Sequence, residues 1–468
     1  MRRLDGTSAF LIYSDLPRCY QHTLKIAIVN WKGSSQRYDY QELFNELSKA
    51  PERFPLLKWK VTPTPLGIHH PIWTDQQEFD ISHHIKRIAC PGTSDKYAFS
   101  NLIAELYAQP LDKSRPLWQM WVVEGLPDDQ VAIVTLLHHA YADGAGASML
   151  MQGIISSGDE KKLPSEQFYG VKPNREYGSL TLFLRGLVEL PFTWVKHLPQ
   201  ITGSILKQKK LQREYEASGN PLPPSPSQAP DSPLNVVHSY GRTFAYDYID
   251  FDEFRRVSKH FNVTINDLFV AVVAGAVRQF YQDLGVPADK PLVACIPINA
   301  RTEEQSKQIL GNHLSDGHVN VPIHIADPLE RLTATSESSK LMKTYQGLVG
   351  GSVRTKLLEI MPPFAAPLLN YALKRRRGQL KLLGNLGISN VKGPQKSMEI
   401  CGGIVEHWLS IGHVTAGVGL NVTGWSYAGK FSICVMADQK VLTDGPKFLD
   451  YIKSSYQEYQ ELASSESN

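Results

Sequence analysis

Apolar and polar positions in this chain follow two periods, one for strands and one for helices. Trp118–Glu124 (WQMWVVE) alternates well enough for a strand, and 131–137 (VAIVTLL) is an apolar, β-branched run. The pattern predicts a buried strand at 131–137 that pairs back on the first. Between them Leu126-Pro127-Asp128-Asp129 predicts a turn, with the proline presetting the bend. A short helix is expected at 40–47. In the second half Thr264-Ile265-Asn266-Asp267 opens an apolar helix over 268–281, and 292–298 reads as another buried strand. The segments 417–426 and 429–436 predict a late strand pair. Strands and helices interleave throughout, which gives an α/β (mixed α+β) class.

One break divides the chain. From Gly219 to Leu234 it reads GNPLPPSPSQAPDSPL, with prolines at 221, 223, 224, 226, 230 and 233. Proline fixes φ and removes a backbone donor, so the stretch predicts an extended, semi-rigid linker. The expected layout is an N-terminal domain over 1–200, a crossover over 201–238 and a C-terminal domain over 239–468. Two apolar segments end in basic residues: 181–206, followed by Lys207, Lys209 and Lys210, and 357–373, followed by Lys374, Arg375, Arg376 and Arg377. Proteins that lie on lipid use this combination. A core helix with a solvated end is the plainer expectation.

Composition narrows the class. With 468 residues and 42% hydrophobic content the chain can bury a large core, so global disorder is excluded and two domains are expected. The 49 basic and 46 acidic residues leave a net charge of +3, which gives no general pull towards nucleic acid. Cys19, Cys90, Cys295, Cys401 and Cys434 are scattered and form no C-x-x-C, which argues against a disulfide scaffold or zinc ribbon and fits a reducing compartment. The run at 9–13 is too short for a signal-peptide core, and the longest apolar run, 268–277, is far short of a membrane span. A cytoplasmic protein is expected, in peripheral contact with a membrane or lipid-droplet surface.

The sharpest chemical feature is His138-His139-Ala140-Tyr141-Ala142-Asp143-Gly144. Histidine pairs also stand at His69-His70 and His83-His84, so a pair alone carries little. This one falls where the buried strand 131–137 ends, where α/β proteins place functional loops. Gly144 and Gly146 allow a tight turn into a helix at 147–155. Adjacent residues leaving a strand point to opposite sides, so only one imidazole faces a given cavity. Asp143 can fold back to orient a ring or hold the loop. A histidine of near-neutral pKa is a natural base towards an alcohol. A metal site could use two histidines and one carboxylate, but the paired spacing gives no clear third ligand, so no metal is expected. The sequence contains no G-x-S-x-G, no phosphate-binding G-x-x-x-x-G-K-[ST] and no G-x-G-x-x-G after a strand.

This loop resembles the H-H-x-x-x-D-G motif of the chloramphenicol-acetyltransferase and condensation-domain superfamily. Further blocks resemble those of the bacterial-type wax ester synthase/acyl-CoA:diacylglycerol acyltransferases. Arg115-Pro116-Leu117-Trp118 is similar to the family's P-L-W, and Asn266-Asp267 to its N-D. Cys295-Ile296-Pro297-Ile298-Asn299-Ala300-Arg301 is similar to its V-P-V-x-x-R strand, and Leu310-Gly311-Asn312-His313 to its G-N block. Ser389-Asn390-Val391-Lys392-Gly393-Pro394 resembles its S-N-V-P-G-P loop, with Lys392 in place of a proline. The blocks occur in family order along nearly the whole chain.

The resemblance implies two chloramphenicol-acetyltransferase-like domains with an active-site tunnel between them. Acyl-CoA would be the co-substrate, with no other cofactor, and a long-chain alcohol or diacylglycerol the acceptor, giving wax ester or triacylglycerol. His139 would be the general base, with His138 beside it. Asp143 would shape the loop through a salt bridge to Arg301, and Gly144 would allow close approach to the thioester. Asn266 would orient the acceptor or the oxyanion, its bland role being that of a helix cap. Pro116, Leu117, Trp118, Asp267, Ser389 and Asn390 would line the substrate site, although a Trp that starts an apolar strand is ordinarily core. Three other readings stand beside this one: a condensation-type enzyme acting on carrier-protein thioesters, a non-catalytic lipid-surface protein, and a glycerophosphate-type acyltransferase using His138 as base. The last lacks its E-G-T-R-like block. Alcohol or diacylglycerol preference, chain length and oligomeric state are not legible.

Overall fold

A computed structural model describes residues 2–92, 97–155, 177–299, 309–312, 314–349, 353–361, 363–365 and 384–465. The expected hairpin forms: β6 (Trp118–Glu124) and β7 (Val131–His138) pair antiparallel, with Trp118 opposite Leu137 and a turn over Pro127–Asp129. They are central to a six-stranded sheet in the order β12 (Glu399–Ile400), β13 (Gly403–Ile411), β2 (His22–Asn30), β7, β6, β5 (Ile85–Ala89). A second six-stranded sheet runs β10 (Leu314–Val321), β9 (Leu292–Asn299), β11 (Leu386–Lys392), β14 (Leu420–Tyr427), β15 (Lys430–Asp438), β8 (Arg242–Asp250). Each mixes parallel and antiparallel pairs. A small third sheet joins β1 (Arg2–Arg3), β4 (Ile72–Asp75) and β3 (Trp59–Thr62).

The two large sheets are not built from separate halves of the chain. After β11 in the second sheet the chain crosses to place β12 and β13 in the first, then returns for β14. β13 lies against β2, with Leu409 opposite Ile26 and Ser410 opposite Lys25. One core therefore gathers Ile26, Ile133 and Trp121 with Trp408, Trp425 and Met436. Burying each such side chain contributes about 1.5–3 kcal/mol, so this seam fastens the sheets strongly. Helices α1 (Gly6–Tyr13), α2 (Tyr40–Ser48), α3 (Ala50–Arg53), α4 (Ala98–Ala108) and α5 (Gly144–Ile155) give residues such as Ala9, Leu43, Leu102 and Leu150 to the same core.

The second core lies on the outer face of the second sheet. Val422, Ile433 and Val435 point there, against α7 (Phe251–His260), α8 (Ile265–Asp283), α9 (Pro328–Val349) and α11 (Gly445–Ser465). Helix α8 is apolar nearly all round and is buried accordingly. Its start is set by a capping box between Thr264 and Asp267, so the capping residue is Thr264 and not Asn266.

Helix α6 (Ser179–Ala217) runs through the start of the segment expected as crossover. Residues 203–217 are rich in Leu, Lys, Gln and Glu, good helix formers, and the extended chain begins only after it, at Gly219. Little of α6 is core. Leu182, Gly186 and Ile201 are buried, whereas Phe192 is 71% and Val195 73% exposed. The helix packs on α10 (Val353–Ile360) and is held at one side by Arg3 bonded to Glu189, His69 to Thr193 and the Trp194 indole to the Ile360 carbonyl. The second basic cluster, residues 374–377, lies outside the described residues. No single described helix is long and apolar enough to cross a membrane.

Candidate active site

The histidine loop leaves the end of β7 and enters α5. His138 N–H donates to the Leu117 carbonyl and His139 N–H to that of Gln21, so the backbone stays in the ladder while the two rings diverge. His138 turns into the core and is fully buried. Its Nδ1 accepts the Ala140 N–H at 3.1 Å, and its Nε2 points to Asp15 Oδ1 at 3.9 Å, beyond hydrogen-bond range. Its one free lone pair is thus committed to the loop. Burial, with His22, Lys113, His139 and His413 adding, holds its pKa well below the histidine range.

His139 points the other way, towards the seam between the sheets. Its Nδ1 lies 3.0 Å from the Asn312 amide nitrogen, and its ring meets His413 edge-on at 4.9 Å. Burial, then the Lys25 ammonium, lowers its pKa to about 4, with Asp143 opposing. His413 is lowered to about 3 by burial and by His139. Both rings are neutral at physiological pH. With the amide N–H on Nδ1, the imidazole proton sits on Nε2. A half-turn of the carboxamide puts its oxygen on Nδ1, moves the proton there and leaves Nε2 as an acceptor. The side chain at 312 can therefore serve either tautomer.

Asp143 is fully buried, and its Oδ1 accepts the Gly146 N–H at 2.9 Å, capping α5. The loop is also sewn to the second half of the chain. Gly311 N–H donates to the Tyr141 carbonyl, Asp143 N–H donates to the Gly311 carbonyl, and Ala142 bridges Gly311. Gly311 has φ of 106°, where a side chain would be strained. Thus the G-N block holds the motif loop with its glycine and touches His139 with its asparagine. Arg301, the expected partner of Asp143, lies outside the described residues.

The other expected residues divide. Pro116, Leu117 and Trp118 brace the loop from the core: Leu117 takes the His138 N–H, and the Trp118 indole donates to the Leu57 carbonyl and stacks on His84 at 4.5 Å. Ser389 and Asn390 are half-buried on β11, opposite Thr423 and Gly424. Val391, next along, reaches Gly144, where an added Cβ would stand 3.7 Å from its Cγ2. Asn266 and Asp267 sit at the start of α8, and no described contact joins them to the imidazoles. Sequence reasoning passed over Asn312, His413 and Lys25. The G-N block signalled the first, while nothing local marks the other two.

Two mixed sheets with a paired-histidine loop at their seam define the condensation-domain type of fold. The starter condensation domain of rhizomide synthetase superposes on 99% of this chain and 94% of its own, at a TM-score of 0.57 and 12% identity. The chain belongs to the wax ester synthase/diacylglycerol acyltransferase family: that family's catalytic-domain model matches residues 4–269 and its C-terminal-domain model 310–460. It is 34% identical to a Mycobacterium tuberculosis protein named as a diacylglycerol O-acyltransferase, over 98% of this chain and 97% of that one. It is 26% identical to O-acyltransferase WSD of Acinetobacter baylyi, over 83% of each. The wax ester synthase/diacylglycerol acyltransferase from Marinobacter aquaeolei VT8 shares the fold at a TM-score of 0.69, with 18% identity, over 99% of this chain and all of that one. The chain is an acyltransferase of neutral-lipid synthesis.

Proposed function

We propose that His139 is the general base of a direct acyl transfer from acyl-CoA, with no further cofactor, to the hydroxyl of a long-chain alcohol or diacylglycerol. With the Asn312 carboxamide turned so that its oxygen faces Nδ1, Nε2 is unprotonated and takes the hydroxyl proton as the oxygen attacks the thioester carbonyl. The tetrahedral intermediate collapses, the C–S bond breaks, and the CoA thiolate takes the proton back from the imidazolium. No acyl-enzyme forms. The observation that carries this reading is the divergence of the paired rings, His139 towards the seam and His138 tied to Ala140 N–H. That tie also argues against His138 as the base of a glycerophosphate-type enzyme. Family membership favours lipid acceptors over carrier-protein thioesters.

The same reading assigns α6 to the lipid surface from which the substrates come. Its exposed Leu184, Phe192, Val195 and Leu206 adjoin Lys207, Lys209 and Lys210, an apolar face with a basic end. The paired substitutions Phe192→Ser and Val195→Ser should lower flotation with anionic liposomes, and unchanged flotation counts against the assignment. The activity itself is tested by product analysis. Palmitoyl-CoA is supplied with hexadecanol and dioleoylglycerol, and wax ester and triacylglycerol are separated. Ester that appears with wild type and vanishes with His139→Ala supports the mechanism, while equal yield from both refutes it.

A further inference from the structure

The face of the first sheet that carries His139 also carries a polar patch that the transfer chemistry leaves unused. Lys25 stands in β2, a strand buried along its whole length, and is 3% exposed. Its partner across β2 and β7 is Thr135, and Thr23 is opposite Leu137. Direct partners on antiparallel strands share a face, so Thr23, Lys25 and Thr135 lie on the side of His139, which the ladder sets beside Gln21. Lys25 Nζ donates to Thr23 Oγ1 at 3.2 Å and to Ser410 Oγ at 2.5 Å, so the ammonium leans along the strand towards His139. It also lies 5.4 Å from the Trp425 ring centroid. Among the described residues no carboxylate pairs with it.

Around this ammonium lie buried polar groups without hydrogen-bond partners among the described residues: Thr135 Oγ1, Trp408 Nε1 and Trp425 Nε1. Trp408 is opposite Ala27, the next position on the Lys25 face, and the two indoles stack at 6.3 Å. Gly393 is glycine for this reason, because a Cβ there would stand 2.4 Å from Trp425 Nε1. Buried donors are rarely left unpaired. Indole N–H and ammonium donate and cannot accept, so the patch calls for a guest with acceptor oxygens.

We propose that Lys25, Thr135, Trp408 and Trp425 form a subsite for the ester carbonyls of a diacylglycerol-like acceptor and so select it over an unsubstituted long-chain alcohol. The proposal rests on the reading that His139 receives the acceptor hydroxyl. A glycerol backbone holds its ester carbonyls within a few bonds of the free hydroxyl, and Thr23 is about 7 Å of strand from the position beside His139. An alkanol offers only methylenes to the patch and leaves the two indole N–H groups and the Thr135 hydroxyl unpaired, the circumstance in which a binding site discriminates most sharply. Burial lowers the Lys25 pKa to about 8, with the Cys434 thiol opposing, so the side chain stays largely cationic at neutral pH.

The test measures equilibrium binding of dioleoylglycerol and of hexadecanol, without acyl-CoA, to wild type, Lys25→Met and Thr135→Val. Valine removes a hydroxyl that has no partner and keeps the shape, and methionine keeps much of the lysine stem, so both variants should fold. Wild type should bind dioleoylglycerol more tightly, and each variant should lose about tenfold of that affinity with hexadecanol unchanged or tighter. Equal weakening of both ligands, no change in either, or a wild type without preference overturns the subsite. Selective binding by a wild type that transfers no acyl group would instead refute the proposed function and leave the subsite standing.

Discussion

His139 and His238 are both nearly shut off from water, yet one ring is neutral and the other a cation. His238 lies in the crossover, with Nδ1 3.0 Å from Asp438 Oδ2 and Nε2 2.6 Å from the Thr415 carbonyl. Both neighbours only accept, so both ring nitrogens carry protons. Burial alone would lower its pKa. The Asp438 carboxylate, with Cys19 and Thr415, overcomes burial and holds it at about 9. His139 meets an amide, a second neutral imidazole and a lysine ammonium, and there burial wins. The partner, more than the depth, decides whether a buried imidazole serves as a fixed cation or as a proton acceptor.

The largest effects follow from removing each histidine's purpose. His139→Ala should cost about 10²–10⁴-fold in kcat/KM, the usual worth of a positioned base, with the melting temperature nearly unchanged. A variant that unfolds instead would show that this ring, like His238, is structural. Asp438→Asn should do the reverse. It leaves the His238 imidazolium and Arg242 buried without their anion and should cost about 3–5 kcal/mol in thermal or denaturant unfolding. Turnover per folded molecule should hold. Unchanged stability would erase the contrast between the sites.

The pH dependence sharpens it further. The folded pKa of His238, about 9, lies above the unfolded value of about 6.5. Its contribution is therefore complete below about pH 6.5 and is lost as pH rises through 9, for a total of about 3 kcal/mol. In the His238→Gln variant the stability difference from wild type should shrink over that window. For His139 the sign is opposite in consequence. The base works when unprotonated, so kcat/KM should hold as pH falls below the ordinary histidine range and decline only towards pH 4, as far as the protein stays folded.

This contrast was half visible in the sequence. The loop at His138–His139 was legible because it closes a strand with strong apolar patterning, and the hairpin, α8 and the late strand pair were legible for the same reason. The divergence of adjacent rings followed from strand geometry alone. Contacts made across the chain left no such mark. Asn312 reaches His139 over 173 positions, and the return of β13 to the first sheet has no local signature. Lys25 interrupts the apolar run of β2, which hid that strand. Trp118, read both as substrate lining and as an ordinary core residue, is buried in the core, where its indole has a carbonyl partner. The helix cap fell to Thr264, two positions before Asn266, because the first hydroxyl that reached an N3 amide took the role.

The smallest effect concerns Asn312, the group that separates His139 from His238 most directly. Asp438 fixes a proton on its histidine, while a carboxamide can turn and leave Nε2 free. Asn312→Leu should keep the fold, lower kcat by about tenfold through loss of ring orientation, and leave KM for acyl-CoA unchanged. Asn312→Asp places a carboxylate on Nδ1 and should raise the pKa of His139, moving the acid limb of kcat/KM up towards the histidine range. Leucine alone would not separate a packing role from tautomer control. The aspartate does, because a residue that only fills space should not move the limb. An unshifted limb in a folded Asn312→Asp enzyme would leave burial, Lys25 and Asp143 to set this proton.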